Sequence, residues 1–381
     1  MNFKEFNTSL KYRKYKSWKI IIRFIEYKLK NFLIDIFTSL NVIKFNSKKI
    51  IDIGSFKDNS YINFFLYSLK DDYVLAYQND ENAKKLFKRI GLRNFFKSTI
   101  SNTFIKKKIS IKVNMSSEVD ETNSINIDTN YFKYFYDETI KNLNGKLIMP
   151  YYMYPRIYNS FYKNINIIKK PNFNLRVFFS GSIVREGYVN FKWKREPEKF
   201  LNRIDVIDKL LKEFKSEIYL IKSKKDMKTN KFLNKKIVFC LHDKMIKKTS
   251  YILNFKENLN LLNNSCFNLN CPGVVMPLCH HLVEGMKVGS IPITNCEGLI
   301  HPNLSTKNSL QYSNINELIV KINQALYMPN DQILDMRSEV FKYYNSHLSP
   351  AKFKSSFQKA LNNKEKKIIC CDDHRSVENF I

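Results

Sequence analysis

The chain has 381 residues, enough for two domains of about 150–200 residues each. Hydrophobic content of 44% and aromatic content of 14% exclude a disordered chain, and seven cysteines without a C-x-x-C pair exclude a disulfide framework and a zinc ribbon. The net charge of +29 would point to nucleic acid or an anionic membrane, yet Lys, Asn, Ile, Phe and Tyr are all heavily used, as A+T-rich coding produces, so charge alone assigns nothing. The odd number of unpatterned cysteines favours a reduced, cytoplasmic compartment.

Residues 1–45 mix basic and apolar side chains, with nine Lys or Arg against two Glu in the first thirty positions. No uncharged run there reaches the roughly 18 residues that span a bilayer. Two readings stand: a basic amphipathic helix lying on an anionic membrane surface, or a helical extension packed on the first domain. From Lys49 the pattern becomes strand (49–54), helix (59–70), strand (73–77) and helix (82–90) closed by Gly91. Short apolar strands alternating with helices predict a parallel α/β sheet. Gly54 alone is not a dinucleotide fingerprint, which needs three glycines. Residues 114–130 are polar and acidic and read as a surface loop; 147–150 is another strand. The run Tyr151-Tyr152-Met153-Tyr154-Pro155-Arg156 reads as the approach to an interdomain cleft, and 164–174 as a linker.

The second half opens with a strand at 175–179, and Ser180-Gly181-Ser182 reads as a phosphate-cradling turn. Arg185, Arg195 and Arg203 follow, and a guanidinium after such a turn suits the bidentate geometry of a pyrophosphate. For each of the three, a solvated helix surface is the alternative. A helix at 205–214, a strand at 217–221, a Lys-rich connection at 222–236 and strands at 237–241 and 250–255 come next. Helices at 316–327 and 350–363 follow the central motif, and the charged residues 364–381 read as a frayed tail.

That motif is Cys271 to Asn295, CPGVVMPLCHHLVEGMKVGSIPITN. Four of the nine glycines, four of the ten prolines and three of the six histidines fall between Pro272 and Pro302, with Lys287 as the one basic residue. Pro272-Gly273 signals a turn, and Pro277 is expected in the first turn of a helix. Leu278, Leu282 and Met286 share one face of that helix, while His280, His281, Glu284 and Lys287 share the other. Gly289 suits a left-handed helix end before a buried strand at 290–294. A helix N-terminus preceded by a glycine turn is an anion site, because free N–H groups and the dipole both favour phosphate. Histidine can add a donor, and a carboxylate one turn on can accept from two sugar hydroxyls. The bland alternative is a core βαβ helix with incidental polar residues.

The run Pro272, Gly273, Met276, Pro277, Cys279, His280, Glu284, Gly285, Met286, Gly289, Ile291, Pro292 and Ile293 resembles the donor-binding segment of GT-B glycosyltransferases, most closely bacterial exostosin-like enzymes of polysaccharide assembly. His281 stands where a small polar residue such as Asn is expected, and the Ser and Arg that animal-type exostosins carry before the Glu are lacking. The resemblance implies an α/β, GT-B-like fold: two Rossmann-like domains facing a cleft, behind a basic helical N-terminal extension. It divides the chain into that extension (1–45), an N-terminal acceptor domain (46–165), a C-terminal nucleotide-sugar-binding domain (166–345) and a C-terminal helix and tail (346–381). It implies that Glu284 accepts from donor ribose hydroxyls. His280 and the N–H groups around Gly273 to Met276, aided by Gly181, Ser182 and Arg185, hold the pyrophosphate. His280 also ranks as catalytic, and Asp52 and Asp58 are the candidate bases for the acceptor hydroxyl. No cofactor and no metal are expected, since no D-x-D pair lies near the motif. The expected partners are a nucleotide-sugar donor, a glycan or lipid-linked acceptor and an anionic membrane surface. The expected location is cytoplasmic, on the inner face of the cytoplasmic membrane, and the mechanism inverting. Two other classes compete: a basic nucleic-acid-binding protein, and a peripheral membrane adaptor without catalysis. Nucleic acid is disfavoured because the basic residues avoid the glycine-rich motif.

Overall fold

The computed structural model describes residues 49–52, 61–77, 99–101, 111–114, 124–136, 146–160, 162–189, 201–243, 251–363, 367–372 and 375–378. The extension at 1–45 and the helix expected at 82–90 lie outside them. The chain divides into two compact units, Met1–Phe56 with Lys70–Lys112, and Lys57–Leu69 with Val113–Ile381. The boundary expected at 165/166 falls inside the second unit.

The first unit carries strands β1 (Lys49–Asp52), β2 (Tyr73–Tyr77) and β3 (Thr99–Ser101), and the start of β4 (Ile111–Asn114). Their order is β3-β2-β1-β4 and the pairings are parallel. Ile50, Ile51, Tyr73 and Ala76 are buried, as apolar strands covered on both faces require.

In the second unit, α1 (Tyr61–Leu69) packs against α11 (Pro350–Asn362), with Phe64 over Phe353 at 5.4 Å and Phe65 edge-on to Phe357 at 5.7 Å between ring centroids. Burying each such ring contributes about 1.5–3 kcal/mol. Three strands of this unit, β5 (Ser124–Asp128), β6 (Leu147–Ile148) and β13 (Lys367–Ile369), form a parallel set in the order β5-β13-β6. Two expectations are corrected here. The stretch 114–130 is not all loop, because Ile125 and Ile127 alternate inward on a strand. Within the expected frayed tail, residues 367–372 are ordered: Ile368, Ile369, Cys370 and Cys371 form a buried apolar run strong enough to insert a strand between β5 and β6.

The larger sheet of this unit contains β7 (Val177–Ser182), β8 (Ile218–Leu220), β9 (Ile237–His242), β10 (Phe267–Leu269), β11 (Ile291–Thr294) and β12 (Leu310–Gln311). Its order is β12-β11-β10-β7-β9-β8, all parallel. The α/β class expected from the alternating pattern is therefore realised, with the second and third strands exchanged relative to the Rossmann order. The chain leaves β7 on one side and returns at β10 on the other, so the topological switch point lies between the C-terminal ends of these two strands. In open parallel sheets, ligands bind there.

Connecting helices are α4 (Arg185–Val189), α5 (Arg203–Glu213), α6 (Lys224–Thr229), α7 (Phe255–Asn264), α8 (His280–Lys287), α9 (Ile315–Tyr327) and α10 (Asn330–Tyr343). The strand expected at 250–255 is replaced by an extended lead into α7, capped by Asn254 and Glu257 in a reciprocal capping box. Ser180 to Ser182 do not form a turn. They continue β7 and pair in register with Cys240 to His242. Among the described residues no helix is long and apolar enough to cross a membrane.

Arg337 on α10 fixes the far end of α8. Its guanidinium is buried and donates to the carbonyls of Val288 at 2.7 Å, Ile168 at 2.8 Å and Asn263 at 3.1 Å. Val288 and Asn263 close α8 and α7, so two negative dipole ends face one cation. Gly289 then takes φ +80°, as its place after the helix requires, and a Cβ there would stand 2.4 Å from the Phe341 ring.

Candidate functional site

The loop between β10 and α8 folds on itself. The Gly273 amide donates to the Met276 carbonyl at 2.8 Å, and a Cβ on Gly273 would lie 3.2 Å from that oxygen. Met276 is buried, with the Cys371 thiol 3.8 Å from its sulfur. The Gly273 amide, one of the N–H groups expected at the donor, is thus engaged within the protein. Pro277 stands before the helix and not in its first turn, because Cys279 is still extended at φ −133° and ψ 141°.

Helix α8 starts at His280 without a side-chain cap. The amides of His280 and His281 have no hydrogen-bond partner among the described residues. Sequence spacing had suggested this end as an anion site; the structure sets it beside the switch point and adds a cation. Arg203, at the start of α5, is 6% exposed. Its Nη1 donates to the Ser182 carbonyl at 3.3 Å, and its Nη2 lies 3.5 Å from the Cys271 carbonyl and 3.7 Å from the Cys279 thiol. The guanidinium faces the Tyr188 ring at 4.9 Å and its Nε is buried without a partner. No carboxylate pairs with it among the described residues.

Gly181 makes room for this cation: a Cβ would stand 2.8 Å from the Phe179 ring and 3.2 Å from Nη1 of Arg203. A buried cation without a counter-ion is costly, and here it touches the ends of β7 and β10 and the cap of α8. Of the three arginines read from the sequence, Arg203 is the one at the site. Arg185 is exposed and pairs with Asp208 at 2.7 Å on the surface, and Arg195 lies outside the described residues.

His280 stacks on Tyr151, with ring centroids 5.5 Å apart and planes 5° from parallel. Its Nδ1 is 2.8 Å from the Tyr152 carbonyl, which can only accept, so Nδ1 carries the proton. The neutral ring therefore presents a lone pair at Nε2. It becomes a second donor to an anion only as imidazolium.

Glu284 is 3% exposed, not open on a polar face as helical spacing had suggested. One carboxylate oxygen accepts from the Tyr154 amide at 3.2 Å and the other from Nδ2 of Asn258 at 3.2 Å. Burial raises its pKa, against the opposing effects of His280 and the Tyr154 amide. A carboxylate offers about four acceptor positions, so capacity for further donors remains. Nδ2 of Asn258 also lies 3.1 Å from Nε2 of His281. Nε2 accepts that bond, which puts the proton of neutral His281 on Nδ1. Burial, with the nearby charges of Arg203, His280 and His242, lowers its pKa to about 3, so this ring stays neutral. Asn268 donates to the His281 carbonyl at 3.2 Å, an approach that Gly285 allows, since a Cβ there would sit 2.4 Å from the Asn268 amide.

Of the candidate bases, Asp52 ends β1 in the first unit and is buried, and Asp58 lies outside the described residues. Among the described residues no group of three or more His, Cys, Asp or Glu is placed to hold a metal ion. Sequence reasoning passed over Asn258; the Asn254-x-x-Glu257 capping signature was the signal that a helix carries it.

No protein-family model matches the chain, and no curated protein is similar to it. Among solved structures it is similar to a variant of S. aureus TarM in complex with fondaparinux, α-GlcNAc-glycerol and UDP. That likeness has 13% identity and a TM-score of 0.35, and covers 79% of this chain and 58% of TarM. The chain thus spans less than two thirds of TarM's length. It is also similar to Anabaena HepE in complex with UDP-glucose, at 10% identity and a TM-score of 0.41, covering 83% of this chain and 99% of HepE. Neither likeness assigns an activity.

Proposed function

We propose that the protein is a GT-B-type glycosyltransferase, exostosin-like in its donor segment, that moves a sugar from a nucleoside diphosphate to a glycan or lipid-linked acceptor in surface polysaccharide assembly. The observation that carries this reading is the buried, unpaired Arg203 beside the uncapped start of α8, at the switch point of a parallel sheet. Cation and free amides together suit a diphosphate, and the residues from Pro272 to Ile293 resemble the donor segment of that family.

In the reaction, the bond from the anomeric carbon to the diphosphate oxygen breaks while the acceptor oxygen bonds to that carbon. Charge grows on the leaving diphosphate, where the amides of His280 and His281 and the field of Arg203 stabilise it without a metal. The acceptor proton passes to a base, and the neutral Nε2 of His280 is suited to receive it. Glu284 takes the ribose hydroxyls on its remaining acceptor positions. A single displacement of this kind inverts the anomeric centre. Residues 1–45 would hold the enzyme at the inner face of the cytoplasmic membrane.

Thermal shift and calorimetry with UDP-, GDP- and TDP-sugars test this reading, since a ligand at 100 times its Kd adds about 2.7 kcal/mol. At least one nucleotide-sugar is expected to stabilise the protein. Arg203→Met, which replaces an unpaired buried cation with an apolar chain, should keep the melting temperature and weaken that ligand roughly ten- to a hundredfold. A wild-type protein that no nucleotide-sugar stabilises, or an Arg203→Met variant that binds as tightly as wild type, overturns it.

A further inference from the structure

Nine lysines lie between positions 212 and 236, at Lys212, Lys215, Lys222, Lys224, Lys225, Lys228, Lys231, Lys235 and Lys236, against three carboxylates and no arginine. All nine are exposed, on the end of α5, on the segments that flank the edge strand β8, on α6 and on the connection from α6 into β9. None is ion-paired among the described residues. Against the three carboxylates the nine lysines leave a formal excess of six positive charges. Asp226 is held by the amides of Lys222 and Ser223, Glu213 pairs with Lys209, and Glu217 has a buried oxygen.

Compositional drift towards lysine does not account for this face. Residues 315–343, on α9 and α10 of the same unit, carry four carboxylates against three basic residues. Protection of a sheet edge does not account for it either, because β8 itself, Ile218-Tyr219-Leu220, has no lysine. The other exposed side chains of the face are Glu213, Ser216, Ser223, Thr229, Asn230 and Asn234. The exposed aromatic ring beside the face, Tyr327, is covered by the Lys236 ammonium at 4.7 Å, and no arginine between 212 and 236 offers a guanidinium fork to a phosphodiester backbone. What remains is a dense, diffuse positive surface, the kind that meets a layer of anionic headgroups without a fixed geometry.

We infer that the lysine face of residues 212–236 docks the protein on an anionic lipid bilayer. The inference does not depend on the catalytic reading, and it places a membrane contact on a folded part of the second unit. Its test is co-sedimentation of the full chain with phosphatidylcholine vesicles, with and without phosphatidylglycerol, at about 0.15 M salt. Binding is expected only with phosphatidylglycerol. It should disappear near 1 M salt, where the screening length falls to about 3 Å.

Replacing Lys224, Lys225, Lys228 and Lys231 by Gln should lower partitioning at least tenfold, since each lysine at such a surface contributes roughly fivefold. The four Lys→Arg replacements should retain it. Stabilisation by a nucleotide-sugar should be the same in both variants, so a failure here is separate from a failure of the catalytic reading. Equal binding to both vesicle types overturns the inference. So does undiminished partitioning of the Gln variant, or retention on duplex DNA in preference to vesicles.

Discussion

One carboxylate oxygen of Glu284 accepts a hydrogen bond from the backbone amide of Tyr154 at 3.2 Å, across 130 positions of sequence. The motif helix is thereby tied to the aromatic run that precedes α3 (Pro155–Ser160), and that run, with Asn258, covers a face that helical spacing leaves open.

Glu284→Gln should change both donor use and the pH dependence of stability. Burial raises the pKa of Glu284 from its ordinary 4.5. Between that value and the raised one, the folded protein holds a proton that the unfolded chain has released. Its contribution to stability therefore falls as pH rises through that window. The Gln variant lacks this term, so the melting-temperature difference between the two proteins should vary with pH there. Donor KM should rise roughly ten- to a hundredfold, as for a lost hydrogen bond to a charged group. A pH-independent difference together with a normal KM would remove Glu284 from the site.

His280 is next. With Nδ1 bound to the Tyr152 carbonyl, the neutral ring accepts at Nε2 and the charged ring donates there. With His280 as the group that receives the acceptor proton, His280→Ala should lower kcat by about 10²–10⁴ with donor KM little changed, because the Ala variant keeps the backbone amide. Single-turnover rates check this, and a His280→Ala variant with a normal rate removes the ring from the reaction.

Gly181 and Gly289 separate site from scaffold. Gly181→Ala directs a methyl group at Phe179 and Arg203, so nucleotide affinity should drop with a modest loss of melting temperature. Gly289→Ala meets both φ +80° and the Phe341 ring, so stability should fall by about 1–3 kcal/mol or more, with normal affinity in the protein that remains folded. Calorimetry of both variants, with and without nucleotide-sugar, checks the contrast.

Local chemistry, read along the chain, was enough for much of the second unit. Apolar runs at 237–241 and 290–294, the helices near 61–69, 203–213, 315–327 and 350–362, and the left-handed end at Gly289 all follow from side-chain period and glycine geometry. The helix at 330–343 was passed over although Ile333, Met336, Val340 and Tyr343 recur at helical spacing. Distance in sequence hid the rest. Period tells which residues share a face of α8, but not that Tyr154 and Asn258 arrive to bury Glu284. Three arginines follow β7 within a short span. Only packing decides that Arg203 enters the space left by Gly181 while Arg185 turns outward to Asp208. The strand at 367–369 is likewise legible as an apolar run, Ile368 to Cys371, once its neighbours are known. Until β5 and β6 supply unpaired edges on both sides, a charged C-terminal stretch has no local reason to become a strand.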